Sequence, residues 1–366
     1  MSGVWGEFLK LSIFGESHGK CIGIVINGLP AGLELDLHHI QKELGRRAPG
    51  KSQLATARQE DDAFEIVSGY LNNRTTGAPL SVLIWNKDQH SRDYEEIKDI
   101  MRPGHADFTA RNKFAGFNDY RGGGHFSGRL TAPLVLAGAI GKQILSQKGI
   151  VIGSHILRIG NIEDTRFNPV NADPEKLLAM SDKPFPVISE GQGQLMQEHI
   201  LQAKMEQDSV GGIVEAAIVG LPAGIGSPFF DSVESKLAHL LFSIPAVKGV
   251  EFGTGFAVSG MRGSEANDEF TLGNGEVRTM TNHCGGIQGG ITNGMPLIFR
   301  TAFKPTPSIA RGQRTVDIVR MEEVEIHIQG RHDPCIVPRA VPVVEAVAAI
   351  ALLDMIIEKD GSSWKI

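Results

Sequence analysis

Gly15-Glu16-Ser17-His18-Gly19 sets a carboxylate, a hydroxyl and an imidazole between two glycines, directly after the alternating run Phe8-Leu9-Lys10-Leu11-Ser12-Ile13-Phe14. Glycine admits positive φ and close approach of a ligand, and histidine is the side chain best matched to proton transfer near neutral pH. The stretch therefore reads as half of an active site. It also fits G-x-S-x-G, the nucleophile elbow of serine hydrolases, which needs a strand, a sharp turn and a helix in that order. Here Gly19 is followed by Cys21-Ile22-Gly23-Ile24-Val25-Ile26, a β-branched run that predicts a second strand. The loop then joins two strands as a hairpin, and the elbow context fails. Taken alone, it is equally an ordinary turn whose His18 makes only a local hydrogen bond.

Five further loops carry the same residue types: Gly45-Arg46-Arg47-Ala48-Pro49-Gly50-Lys51, Arg102-Pro103-Gly104-His105-Ala106-Asp107, the run from Asn118 to Arg129, Lys304-Pro305-Thr306-Pro307-Ser308-Ile309, and Gly330-Arg331-His332-Asp333-Pro334-Cys335. The third holds Gly122-Gly123-Gly124 and runs toward a helix, whose N-terminal N–H groups and positive dipole end suit phosphate. Each loop has a bland reading as well; Arg46 and Arg47 at a helix end complement the dipole. Collectively they describe an acidic protein, net charge −6, that keeps placing Arg or Lys beside Gly, Pro, His and Ser. Such a pattern suits a pocket for a polyanionic small molecule, since arginine forks match carboxylate and phosphate.

The composition narrows the class. The chain has 366 residues, 41% hydrophobic and 21% charged, enough for one large domain or two small ones. The net negative charge disfavours a general nucleic-acid binder. No segment is unbroken in apolar residues for the ~18 positions of a membrane span, and the N-terminus lacks a basic n-region and an apolar signal core. Cys21, Cys284 and Cys335 cannot close a disulfide set and show no metal-ligand spacing; the expected setting is a reducing cytoplasm, with no metal and no membrane. There is neither G-x-x-x-x-G-K-[ST] nor a Rossmann G-x-G-x-x-G after a strand, which disfavours a P-loop ATPase and a standard NAD dehydrogenase.

The elements that must position these loops show an internal echo. Gly28-Leu29-Pro30-Ala31-Gly32 recurs at Gly220-Leu221-Pro222-Ala223-Gly224, each after an apolar strand. Each is followed by a helix with an Asp cap, Asp36 in the first copy and Asp231, boxed with Glu234, in the second. Thr76-Gly77-Ala78-Pro79-Leu80 echoes Asn293-Gly294-Met295-Pro296-Leu297 before a strand, and apolar helices to about Gln147 and about Glu358 follow Arg129 and Arg339. A helix apolar nearly all round is buried on all sides. The predicted architecture is therefore α+β, with helices sandwiched between largely antiparallel sheets and a pseudo-twofold internal repeat. We expect one domain of two interleaved halves, about 8–150 and 210–358, with the polar stretch from Asp164 to Gln207 as a loop-like insertion.

With these motifs in hand the chain resembles chorismate synthase, nearly from end to end, Phe14 to Met355. Ala246-Val247-Lys248-Gly249-Val250-Glu251 and Asn282-His283-Cys284-Gly285-Gly286-Ile287 join the loops above as carrying motifs. The resemblance implies a carbon–oxygen lyase of aromatic amino-acid biosynthesis. It removes phosphate from 5-enolpyruvylshikimate-3-phosphate by 1,4-anti elimination, using reduced FMN, at the last step of the shikimate pathway. It also implies a homotetramer, with NADPH as reductant or a separate flavin reductase as partner. By resemblance His18 assists phosphate departure, His105 protonates the flavin, Asp333 helps it take the ring proton, and Ser17 and Ser127 support them. Arg47, Arg102, Arg129 and Arg339 surround the substrate. FMN contacts fall on His125, Phe126 and Ser127, on Pro245 and Ala246, and on Gly289. They continue over Lys304, Pro305, Thr306, Pro307 and Ser308, and end at Arg331; Arg47 also matches a position linked to NADPH.

The chain departs from the family pattern after the glycine loop. His125-Phe126-Ser127-Gly128-Arg129-Leu130-Thr131 stands where Arg-Ser-Ser or Arg-Ala-Ser and then Ala-Arg-Glu-Thr are usual, and Gln53 stands where relatives carry a basic residue. The competing reading is a non-catalytic flavin or polyanion carrier on this scaffold. It would need the arginines and the glycine loop but not His18, His105 and Asp333 together.

Overall fold

The computed structural model describes residues 3–50, 54, 60–87, 94–95, 97–273, 275–328 and 332–361. Alternation builds the first sheet from Val4–Trp5 (β1), Lys10–Gly15 (β2), Cys21–Asn27 (β3), Phe64–Ser68 (β4) and Leu80–Trp85 (β5), in the order β1-β2-β3-β5-β4. Ile22, Ile24 and Ile26 of β3 face Ile84, Val82 and Leu80 of β5 across the ladder, and all six are buried. Residues between them, such as Val25 and Ser81, lie on the half-exposed outer face, as the two-residue period of a strand requires. β2 and β3 pair directly, so Gly15 to Gly19 does close a hairpin.

The second sheet contains Val151–Ile159 (β6), Ile162–Glu163 (β7), Gly212–Val219 (β8), Val247–Phe252 (β9) and Leu297–Phe303 (β10), in the order β9-β10-β8-β6-β7. Its long strands are buried almost continuously because both faces are covered. Both sheets are antiparallel throughout. Leaving aside the edge strands β1 and β7, they share one strand order, with β2, β3, β5 and β4 standing where β6, β8, β10 and β9 stand.

Helices fill the space between the sheets: Leu37–Arg47 (α1), Thr131–Gln147 and Val337–Asp360 pack on one another there, and Asp107–Lys113 (α2) lies beside the site. Thr131–Gln147 becomes α3. Two helices of the middle stretch, the short Pro174–Met180 (α4) and the longer Glu190–Met205 (α5), precede Val233–Leu241 (α6), Gly263–Ala266 (α7) and the last helix, Val337–Asp360 (α8). α8 is long and apolar enough to cross a membrane, but the qualifying window is wholly buried in the protein, so it is a core helix. Its approach to α3 needs glycine: a Cβ on Gly138 would lie 2.3 Å from the Ala346 backbone. Its two buried acids are accounted for. Glu345 bonds Arg46, Lys142 and Ser154, and Asp354 accepts from the backbone N–H groups of Glu7, Phe8 and Leu9.

Two local expectations change. Asp36 caps α1, accepting from His39 N at 2.9 Å, as expected. In the second copy Asp231 ends a short 3-10 turn, and Ser232 is the cap, accepting from Ser235 N at 3.1 Å. The stretch from Asp164 to Gln207 is not loop-like: Asp173 and Ser189 cap α4 and α5. With Phe167, this segment covers the outer face of the second sheet, where Leu177 packs on Gly153 and a small cluster joins Phe167, Leu177, Met180, Ala217 and Ile298. Beneath it His155, fully buried, meets Asp164 through Nδ1 at 3.2 Å and Glu215 through Nε2 at 3.1 Å.

Candidate active site

The β2–β3 hairpin buries Ser17 and His18 at one end of the sandwich. Ser17 Oγ lies 3.1 Å from His18 Nδ1, and Ser17 N donates to Gly124 O at 3.1 Å. Gly122 packs against the pair with φ +62°, and a Cβ there would sit 2.3 Å from His18 Cε1 and 2.9 Å from Ser17 Oγ. Glycine is thus required twice at one position, for its backbone and for its missing side chain. The glycine loop does not run straight into α3: two 3-10 turns, Gly124–Phe126 and Gly128–Leu130, intervene. Tyr94 meets the His18 ring edge-on, with centroids 5.2 Å apart.

Next to the hairpin is a group of arginines organised by one buried carboxylate. Arg47, at the end of α1, reaches Asp62 through Nη2 at 2.7 Å and Nε at 3.1 Å, and Arg129 Nη1 bonds the other oxygen of Asp62. Burial works to raise the Asp62 carboxyl, but Arg47 and Arg129 more than offset it and hold it below its ordinary value. Arg47 is pushed down to about 10, chiefly by burial, with Asp62 opposing and Arg339 and Arg129 adding repulsion. Arg339, in the first turn of α8, donates from Nε to Arg47 O at 2.9 Å and from Nη1 to Asp333. Arg129 Nη2 also stands 3.6 Å from the buried carboxylate of Glu60, so three guanidiniums meet three carboxylates in one largely buried network at the cavity wall. Arg102 stands apart from them. It holds Asp107 with two bonds of 2.7 Å and Gly122 O with a third of 2.7 Å, fastening the glycine loop against His18.

His105 lies across the cavity, its Nε2 2.5 Å from Ser308 Oγ. Burial, then Arg102, pulls its pKa down to about 4, so the ring is neutral at pH 7. Lys304 donates to Gly104 O at 2.6 Å, and burial with the neighbouring Lys248 lowers its pKa. Ala246 takes a left-handed conformation, φ +74°, and its carbonyl accepts from Lys304 N, tying the two loops together. The Thr306 hydroxyl is buried and has no hydrogen-bond partner among the described residues.

Most of these groups line one cavity of about 1530 Å³, with Asp62 behind its wall, larger than the ~300–1,000 Å³ of a typical small-molecule site. It brings together Ser17, His18, Arg47, Arg102, His105, Arg129, Asp333 and Arg339. Of the flavin set, it includes His125, Phe126, Ser127, Pro245, Ala246, Lys304, Thr306, Pro307 and Ser308. Pro305 and Gly289 are not in its lining; Gly289 sits on the turn joining Ile287–Gln288 to Ile291–Thr292. Arg331 and Gln53 fall outside the described residues. His125 Nδ1 donates to Gly15 O at 2.8 Å, so the residue that replaces the family arginine clips its loop to the hairpin. Ser127 Oγ accepts from Arg129 N at 3.2 Å and so caps the turn that carries Arg129.

Asp62, Asn86 and Tyr94 were not singled out by type and spacing. Their partners lie far along the chain, and no local pattern marks them. Asp107 was visible only as a neighbour of His105.

Comparison with known proteins gives one answer. The family model described as chorismate synthase matches residues 9–357. The chorismate synthase of Thermococcus gammatolerans is 51% identical over 360 residues, covering 98% of either chain. That of Dehalococcoides mccartyi is 48% identical over 355 residues, covering 97% of this chain and 96% of the relative. A solved structure titled Crystal Structure of Chorismate Synthase superposes with TM-score 0.77 at 31% identity, over 98% of this chain and 94% of that one.

Proposed function

The chain belongs to the chorismate synthase family, a family of carbon–oxygen lyases, and from that premise we propose that its large cavity holds substrate and reduced FMN side by side. The activity is elimination of phosphate from 5-enolpyruvylshikimate-3-phosphate to give chorismate, and the family implies a flavin. One observation carries the placement: a single cavity gathers His18, His105 and Asp333 with Arg47, Arg129 and Arg339. A polyanion carrier would need only the arginines.

The residues fit a flavin. The cavity exceeds the volume of one small ligand, Thr306 offers an unused buried hydroxyl, and Lys304 and Lys248 form a cationic pair suited to its phosphate. Phe126, half exposed, and Pro307 offer apolar wall. When bound, reduced FMN supplies a transient electron and proton partner with no net redox change.

The chain's own groups do the rest. Arg47, Arg129 and Arg339 bind the carboxylates and phosphate and hold the ring in place. His18, oriented through Nδ1 by Ser17 Oγ, donates to the departing phosphate, which leaves more readily when protonated or hydrogen-bonded. His105 shares a proton at Nε2 with Ser308 Oγ and would hold it on the flavin's side of the cavity; an anion bound beside it would raise its pKa again. Asp333, held by Arg339, stands as the carboxylate for the ring proton. Ser127 acts through the turn it caps.

NADPH supplies reducing equivalents, directly or through a separate flavin reductase. Assembly into a homotetramer is supported by apolar side chains at the surface of the second half, among them Phe229, Phe230, Phe256 and Leu272, all more than 75% exposed. The shared strand order supports one domain of two interleaved halves, about 8–150 and 210–358. Three unpaired thiols, Cys21, Cys284 and Cys335, suit the cytoplasm. The direct test is anaerobic phosphate release from the substrate. Release with pre-reduced FMN and none with oxidised FMN is expected; release without flavin contradicts the proposal.

A further inference from the structure

Asn86 is the first residue beyond β5, and its backbone N–H extends the ladder by donating to Lys20 O at 3.1 Å. Its side chain turns under the His18 loop. Nδ2 donates to Glu16 O at 3.0 Å and to Gly19 O at 2.9 Å, while Oδ1 accepts from Arg129 Nε at 3.0 Å. The orientation of the amide is fixed by its partners, because two carbonyls can only accept and a guanidinium N–H can only donate. The two carbonyls flank Ser17 and His18 in the chain. Arg129 in turn bonds Asp62, which bonds Arg47, whose carbonyl accepts from Arg339. One carboxamide therefore connects the loop that carries the acid to the arginines that carry the substrate's charge.

We propose that Asn86 is a positioning residue for the elimination: it sets the reach of His18 relative to the phosphate that the arginines hold. This rests on the reading of His18 and Arg129 given above. No other side chain of this size supplies two donors and an acceptor from one planar group. Asp keeps the shape and the acceptor for Arg129 but loses both donors, and it turns a negative charge toward two carbonyl oxygens. The loop then shifts while the arginine cluster stays in place. A misplacement of ~1 Å at a reacting group costs about 10²-fold in rate, so the expected signature is in kcat rather than KM.

The test is a double-mutant cycle in the enzyme assayed anaerobically with reduced FMN. Asn86→Asp should lower kcat about 10- to 100-fold, with KM changed less than about 3-fold, in an otherwise unaltered chain. In a His18→Ala background the same change should lower kcat less than about 3-fold, because the residue it positions is gone. Equal losses in both backgrounds mean a merely structural role and overturn the proposal, as does an unchanged kcat in the single variant. A His18→Ala enzyme with normal turnover overturns the reading of His18 itself, and this inference with it. If Asn86→Asp does not fold, Asn86→Gln replaces it in the cycle: it keeps donors and acceptor but is one methylene longer, and the same two patterns decide.

Discussion

Gly122→Ala isolates the geometry of His18 from its chemistry. The new methyl would lie 2.3 Å from His18 Cε1 and 2.4 Å from Nδ1, where non-bonded carbon atoms prefer ~3.5–4.0 Å. The ring must move by more than ~1 Å, or the glycine loop must move by as much. The loop is not free to do so, since Arg102 Nη2 holds Gly122 O at 2.7 Å and Gly124 O accepts from Ser17 N. Displacement of that size should lower kcat about 10²-fold. Alanine at φ +62° adds ~1–2 kcal/mol of backbone strain, which lowers Tm by a few degrees. The assay is single-turnover phosphate release by stopped flow, with flavin affinity and Tm measured on the same sample. Gly260→Ala, where an added Cβ meets nothing within 4 Å, is the control and should match the parent chain. A Gly122→Ala enzyme that folds and releases phosphate at the parent rate would show that His18 does not work from the position described.

His18→Ala should lower kcat by ~10²-fold or more, the usual scale of general acid catalysis, with flavin affinity from fluorescence quenching unchanged; near-normal turnover removes it from the mechanism. Arg339→Ala, at a partly exposed pair, should mainly raise KM for the substrate, whereas Arg47→Ala strips a fully buried partner from Asp62 and should in addition destabilise by ~3–5 kcal/mol; denaturant melts separate the two, and equal melts would contradict the buried network. The His105 pKa lies near 4 in the fold against an ordinary value of 6.5, so the unfolded chain binds the extra proton between those values. The stability it contributes is complete above pH ~6.5 and is lost as pH falls toward 4, at most about 3 kcal/mol. Urea midpoints across that window should fall less in His105→Asn, and equal slopes in the two chains would refute the burial argument.

The layered fold was legible because its signals are local. The alternation of Ile22, Ile24 and Ile26, the Asp36 cap and the all-round apolar character of α3 and α8 each predict their own element. Errors arose where two signals compete at neighbouring positions. Asp231 and Ser232 can both cap, and the 3-10 turn that absorbs Asp231 is set by packing. The polar stretch hid α5, whose buried stripe is only Gly193, Met196, Ile200 and Ala203. Residues that line the cavity were legible where the chemistry of a loop is unusual, as at Ser17-His18 and Gly104-His105. Asp62 and Asn86 escaped because their partners are Arg47, Arg129 and the hairpin carbonyls, contacts of 15 to 70 residues' separation that leave no spacing to read. Arg102, which the family resemblance sets around the substrate, lines the same cavity and is held there by Asp107 and Gly122 O.

Counting product per flavin tests the central claim most directly. Substrate on one side and chorismate plus phosphate on the other stand at the same oxidation level, so the flavin must return to its reduced state after each elimination. One equivalent of FMN, reduced before mixing and kept from oxygen, should yield many equivalents of chorismate, each with one phosphate, and the His18→Ala chain should yield them at a rate ~10²-fold lower. Oxidised FMN should yield none. A ratio that stays at one chorismate per flavin, or turnover with oxidised FMN alone, would contradict the account.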